Sequence, residues 1–151
     1  MDYREAKKLA EESRDIAEKL LSKPKLSKIE EAELLTAAYG SLYLWTRAGT
    51  SLQTARGQWF VTRVLCFLGE ARLAQQHAQL CDFFTKKSGD RKDFDEAYAM
   101  EALARVSALK GDKEAALRLK LEAGKLGGLI RDQEDRKTFE TQLSSLSWFG
   151  I

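Results

Sequence analysis

The sequence predicts an all-α protein, and three observations carry that expectation. Leu and Ala dominate the apolar set while Val and Ile are few; the first pair favours helices and β-branched residues favour strands. Apolar residues recur at helical spacing, and no segment alternates with period two. The breaks between periodic segments are short and carry Gly, Pro or capping side chains. A length of 151 residues fits one domain, long enough to bury about 70% of its unfolded surface.

Seven helices follow in order. Helix 1 is expected over Tyr3–Ser22, opened by Asp2 and Glu5 at capping-box spacing, with Leu9, Ile16, Leu20 and Leu21 as its apolar stripe and Lys23-Pro24-Lys25 as its end. Helix 2 is expected over Lys28–Ala48, boxed by Ser27 and Glu30 and stopped by Gly49; its Tyr39, Tyr43 and Trp45 suit the core or its rim. Helix 3, Ser51–Leu68, opens with Thr50 and Gln53 and closes at Gly69. Helix 4, Ala71–Lys87, stops at Ser88-Gly89. Helix 5, Phe94–Lys110, takes Asp93 and Glu96 as its box and Gly111 as its stop. Helix 6, Lys113–Lys125, is capped by Asp112 and ended by Gly127-Gly128. Helix 7 starts at Gln133 behind Asp132 and ends at Leu146, before a short apolar tail. Six of the seven starts therefore carry a side-chain cap, each worth about 1 kcal/mol.

Charge bounds the function. The 25 Lys+Arg against 23 Asp+Glu leave a net +2, too balanced for a dedicated nucleic-acid binder. Hydrophobic residues at 44% and charged ones at 32% argue against both disorder and a membrane protein. Two cysteines make no disulfide framework. The charged start Met1-Asp2-Tyr3-Arg4-Glu5 lacks the apolar run of a signal peptide, and the expectation is a cytoplasmic protein with reduced thiols. The balance hides one asymmetry: from Leu34 to Gly69 there is no Asp, Glu or Lys, only Arg47, Arg56 and Arg63. That span covers helices 2 and 3, which are expected to be innermost.

An internal repeat is visible. Helix 3–Gly69–helix 4 and helix 5–Gly111–helix 6 share one layout at an offset of 42 residues, with Ala74 and Ala116 at matching places. Ala104, then Gly111-Asp112-Lys113-Glu114-Ala115-Ala116-Leu117, then Ala123, resembles the tetratricopeptide repeat. The first copy matches less closely, with Thr62 and Cys81 where small residues are usual. The stretch Trp45–Arg105 also resembles a group of uncharacterised bacterial helical-repeat proteins, through Ala55-Arg56-Gly57-Gln58-Trp59, His77-Ala78, Asp93-Phe94-Asp95 and Glu101-Ala102-Leu103-Ala104-Arg105. The resemblance implies a right-handed array of antiparallel helix pairs over residues 1–147, paired as 3–48, 51–87 and 94–126, with 133–146 as a capping helix and 148–151 as a tail. It also implies a concave groove lined by the first helix of each pair.

Aligning the two copies on their glycines places Arg56, Trp59 and Arg63 on that face, beside Tyr98, Glu101 and Arg105. Two arginines flanking an indole offer forked donors for a carboxylate or phosphate and a ring for stacking. The same residues equally suit pairing with the chain's own acids, among them Glu11, Asp15, Glu18 and Glu101. His77 shares a stripe with Ala74, Ala78 and Cys81 and reads as a satisfied core histidine; with Cys81 alone it falls short of a metal site. Cys66 and Cys81 lie at heights differing by roughly 12 Å along neighbouring helices, too far to bridge. Lys86-Lys87-Ser88-Gly89-Asp90-Arg91-Lys92 is a solvated basic loop. Trp148, Phe149 and Ile151 either fold back on helices 6 and 7 or mediate self-association. No phosphate-cradling loop, His-Glu-x-x-His helix or nucleophile elbow is present.

These features point to a non-enzymatic adaptor without cofactor or metal. It would bind a protein or peptide, one with an acidic group or a free C-terminus, through the groove of helices 1, 3 and 5. Two other classes stay open: a small-molecule or enzymatic pocket around Trp59, Arg63, His77 and Glu101, and a homodimeric module joined through the tail.

Overall fold

A computed structural model describes residues 1–151. It contains seven α-helices and no strand: α1 Tyr3–Leu21, α2 Lys28–Ala48, α3 Ser51–Leu68, α4 Ala71–Lys87, α5 Asp95–Leu109, α6 Lys113–Gly128 and α7 Gln133–Ser144. No helix is long and apolar enough to cross a membrane. Each helix packs on the next, most closely α1 on α2, α3 on α4 and α5 on α6; α3 also meets α5, and α7 lies on α6 and α5.

The capping chemistry sets most boundaries. Ser27 and Thr50 form complete capping boxes with Glu30 and Gln53, while Asp2, Asp112 and Asp132 each accept a first-turn N–H. The helix 5 start differs from expectation. Phe94 is its N-cap and makes no side-chain cap. Asp93 instead accepts the Arg131 N–H at 2.9 Å, tying the α4–α5 loop to the α6–α7 loop. Asp95 accepts the Lys92 N–H at 2.7 Å. The chain thus has five side-chain caps, not six.

The repeat shows in the turns. Gly69 and Gly111 both adopt left-handed backbone, with φ 79° and 82°, where a Cβ would be strained. Glu70 N–H donates to Leu65 O at 2.9 Å and, one repeat later, Asp112 N–H donates to Ser107 O at 3.0 Å. The matching Ala74 and Ala116 are both fully buried.

Two packing features depart from the sequence reading. In α1 the buried stripe is Ala6, Ala10, Ala17 and Leu20, whereas Leu9 and Ile16 are exposed. Small residues on both helices let α1 and α2 approach closely. Ser13 Oγ donates to Ala37 O at 2.6 Å and Ser41 Oγ to Ala10 O at 2.8 Å; a Cβ on Gly40 would lie 3.1 Å from Ser13 Oγ. At these close crossings, contact at backbone distance leaves no room for Leu or Ile. The innermost helices are α3 and α5 rather than α2 and α3: residues 57–66 of α3 are buried without interruption, while α2 buries one side only and leaves Tyr43 exposed.

Gly127 and Gly128 belong to α6 rather than ending it. α7 ends at Ser144, two residues early, because Ser145 turns into extended backbone. α7 is held by Phe139, fully buried with Ala97, Ala123 and Ile130. Gly127 gives the ring its place: a Cβ there would lie 2.5 Å from Phe139. Gly127→Ala is expected to destabilise the protein by about 1–3 kcal/mol. Gly124→Ala, in the same helix with open space around it, is expected to gain about 0.5–1 kcal/mol. Urea unfolding of both variants beside wild type reads the opposite signs.

Candidate functional site

The structure brings five of the six predicted groove residues into one contact network and places the sixth, Arg56, at its end. Glu101 is 2% exposed and at its centre. Its Oε2 accepts the Trp59 indole N–H at 2.7 Å. Its Oε1 accepts Nε and Nη2 of Arg105 at 3.1 and 2.9 Å, and Arg63 Nη1 lies 3.8 Å away. Trp59 and Glu101 are 42 residues apart, so the two repeats meet through equivalent positions, as do Arg63 and Arg105. Tyr98 stands edge-on to Trp59 with ring centroids 4.9 Å apart.

Two guanidinium ions on one carboxylate leave a positive charge in excess, buried where it needs acceptors. The C-terminal segment supplies them. Arg105 donates to the carbonyls of Gln142 at 3.2 Å, Ser145 at 2.9 Å and Ser147 at 3.0 Å. With its two N–H groups on Glu101, all five of its donors are used. Arg63 donates to Ser145 Oγ and, at 3.5 Å, to Gln142 O. Trp148 closes the cluster, with the Arg105 guanidinium 3.9 Å from its ring centroid and its indole N–H donated to Leu143 O at 2.8 Å. The tail folds against Ala104, Ala108 and Ala116, and so lies on α5 as well as α6 and α7. Ile151 packs with it, and Phe149 stays partly exposed. Leu146 and Phe149 take left-handed backbone, φ 59° and 55°, at about 1–2 kcal/mol each.

The other end of the groove is open. A cavity of about 180 Å³ is lined by Arg14, Arg56, Trp59, Phe94, Asp95, Tyr98 and α7 residues Thr138 and Gln142, among others. Arg56 Nε and Nη2 form a fork with Asp95 at 2.9 and 3.0 Å. Asp95 is 4% exposed but the Arg56 side chain is 40% exposed. Arg14 stacks on Phe60 at 4.6 Å and stands 5.9 Å from the Trp59 ring centroid. α1 thus reaches the groove through Arg14, while its acids stay out of it: Glu18 pairs with Arg14, and neither Glu11 nor Asp15 pairs with an arginine of α3. Arg14, Asp95 and Thr138 were missed from sequence. Asp95 is one turn before Tyr98 on the same stripe, and extending that stripe by a turn would have found it; Arg14 and Thr138 carry no such signal.

No known protein family, curated protein or solved structure matches this chain.

His77 is away from this cluster. Its Nε2 is 2.8 Å from Tyr39 Oη and its Nδ1 2.6 Å from Gln58 Oε1. Gln58 Oε1 can only accept, so Nδ1 carries the proton and Nε2 accepts from Tyr39. Its hydrogen bonds run to Tyr39 and Gln58 and not to Trp59, Arg63 or Glu101. Cys66 and Cys81 are free and buried. Burial pushes both thiols up to about 12, leaving no thiolate for nucleophilic work at neutral pH. Burial also raises the Tyr98 phenol to about 12, with Glu101 adding to it, and lowers Arg63 against the pull of Glu101. No group of three His, Cys, Asp or Glu side chains is placed to hold a metal ion. The basic loop is partly ordered, with Ser88 buried and Arg91 bound to Glu96 and to Ser88 O.

Two expectations follow from these contacts. Burial lowers the His77 pKa from 6.5. The unfolded chain therefore takes up this proton first, and stability falls as pH drops through 6.5. NMR titration of this single histidine should give a folded midpoint below 6.5, with urea unfolding earlier at about pH 5.5 than at about pH 7.5; a midpoint above 6.5 contradicts the assignment. Glu101→Ala strands two buried guanidinium ions and should cost about 3–5 kcal/mol by chemical denaturation.

Proposed function

We propose that this chain is a non-enzymatic, tetratricopeptide-like adaptor that binds a peptide or protein segment in the groove between α3 and α5. The observation that carries the proposal is that half of this groove already holds polypeptide. Arg63 and Arg105 receive main-chain carbonyls of residues 142–147, and an aromatic side chain docks on Arg105. Carbonyl recognition reads backbone rather than side-chain identity, so the same chemistry suits other segments. The array of helix pairs is supported by the pairwise packing of α1 to α6 and by the repeated glycine turns. The remaining half, at Arg56, Trp59 and Tyr98, forms the open cleft. It continues past Phe94 into a wider depression bordered by Arg91, Lys92 and Arg131, giving a bound chain a path out.

Trp59 is already buried, so the binding energy would come from covering the half-buried Phe94 and Tyr98, with Arg56 fixing orientation. A bacterial origin, as the sequence resemblance implies, and a cytoplasmic setting, as the charged N-terminal residues suggest, belong to the same proposal. Random-peptide display on the full chain is the test. Enriched peptides should bind wild type and lose about tenfold in affinity to Thr138→Trp, which fills the cleft from an exposed position. Peptides that bind both proteins equally, or no enrichment, would remove the assignment.

A further inference from the structure

We infer that the open cleft between α1, α3, α5 and α7 is a binding site for a single carboxylate carried on an apolar stem. The inference rests on the groove proposed above and names the chemistry of what enters it. Arg14 and Arg56 reach the cleft from different helices, and each has donors to spare. The hydrogen bonds of Arg14 engage Nε alone, with Glu18 at 3.1 Å. Those of Arg56 engage Nε and Nη2, both with Asp95, so Nη1 stays free for a ligand. Asp95 cannot neutralise both arginines. It is the one acid lining the cleft and it also takes the Lys92 N–H, while Glu18 balances Arg14 from the surface.

Each guanidinium sits over an aromatic ring. Arg14 lies against Phe60 at 4.6 Å and Arg56 against Phe94 at 5.2 Å. Guanidinium groups held over aromatic rings lose less freedom when they take up a carboxylate, and their fork matches its two oxygens. The rest of the lining joins apolar and aromatic Ala55, Trp59, Cys81, Phe94 and Tyr98 to the polar Thr85, Thr138 and Gln142. Such walls reward a stem of carbon and exclude a fully hydrated dianion. The volume of about 180 Å³ is smaller than the roughly 300–1,000 Å³ of pockets for drug-sized ligands. It suits one amino-acid side chain, one C-terminal residue, or a free organic acid of that size. With Arg14 balanced by Glu18 and Arg56 by Asp95, a phosphate dianion finds no net countercharge, whereas a monocarboxylate can use the free Nη donors.

The test uses the full chain and two carboxylate sources. One arm is phenylacetate against its neutral counterpart phenylacetamide. The other is a short peptide ending in phenylalanine, as free acid and as C-terminal amide. Binding is followed by NMR at the Trp59 indole N–H and the arginine Nε–H signals. At least one acid should shift these signals and bind about tenfold or more tighter than its amide. Arg14→Leu, whose partner Glu18 is solvent-exposed, should abolish that preference, and Arg56→Lys should weaken it while keeping the charge beside Asp95. Equal binding of acid and amide, no response to either acid, or a preference that survives Arg14→Leu would overturn the inference. The two readings fail separately. Phenylacetate binding without any peptide would remove the adaptor reading and leave a small-acid site. Displayed peptides that bind irrespective of carboxylate and of Arg14 would keep the adaptor and remove the carboxylate site.

Discussion

Glu101 is a carboxylate buried in the middle of a helical core, and a charge in that position must be answered. Trp59 and Arg105 answer it directly and Arg63 from 3.8 Å. The answer overshoots, because two cations face one anion. The surplus is spread over carbonyl dipoles at the C-terminal end of the chain. One ionised side chain on α5 thereby fixes the rotamers of α3, the end of α7 and the course of the tail. A groove lined with arginine cannot close on itself without acceptors, and residues 142–148 provide them.

That constraint divides the groove in two. Below Trp59 Arg105 is saturated to its last donor and Arg63 is buried under Ser145 and Gln142. Above it Arg56 remains partly exposed despite its fork with Asp95. α7 roofs both parts. Its hold is apolar and local, one fully buried phenylalanine over a glycine of α6, with the arginine–carbonyl bonds at its end. The covered half is scaffold, and the open one is where an external group can gain hydrogen bonds without displacing any.

Much of the scaffold was legible in the sequence. Helix number, the two complete capping boxes and the paired glycine turns follow from short-range rules, and the 42-residue offset brought Trp59 and Arg63 opposite Glu101 and Arg105. Failures arose where packing overrides local pattern. Leu9 and Ile16 have the right period for a core, yet the α1–α2 seam takes alanines and serines because backbones approach too closely for branched side chains. Gly127 reads as a helix stop, but its missing Cβ serves a ring from another helix. Asp93 has capping-box spacing and is drawn instead to a loop distant in sequence. For the site, the repeat alignment supplied the residues but could not say which of them the chain's own end would cover. That depends on contacts between α3 or α5 and residues 142–148, which no local periodicity encodes.

The 42-residue offset also bears on how such a chain can change over evolutionary time. Repeat arrays commonly grow or are redesigned by copying one unit, since like units stack on like. Here the equivalent positions are unlike: an indole donor in one copy faces a carboxylate acceptor in the next. Duplicating the second unit over the first would set Glu against Glu, and duplicating the first over the second would set Trp against Trp and leave both arginines without an anion. The two halves have become complementary rather than interchangeable. Their junction works as a lock and key within one molecule, and neither helix pair can stand in for the other without losing that contact.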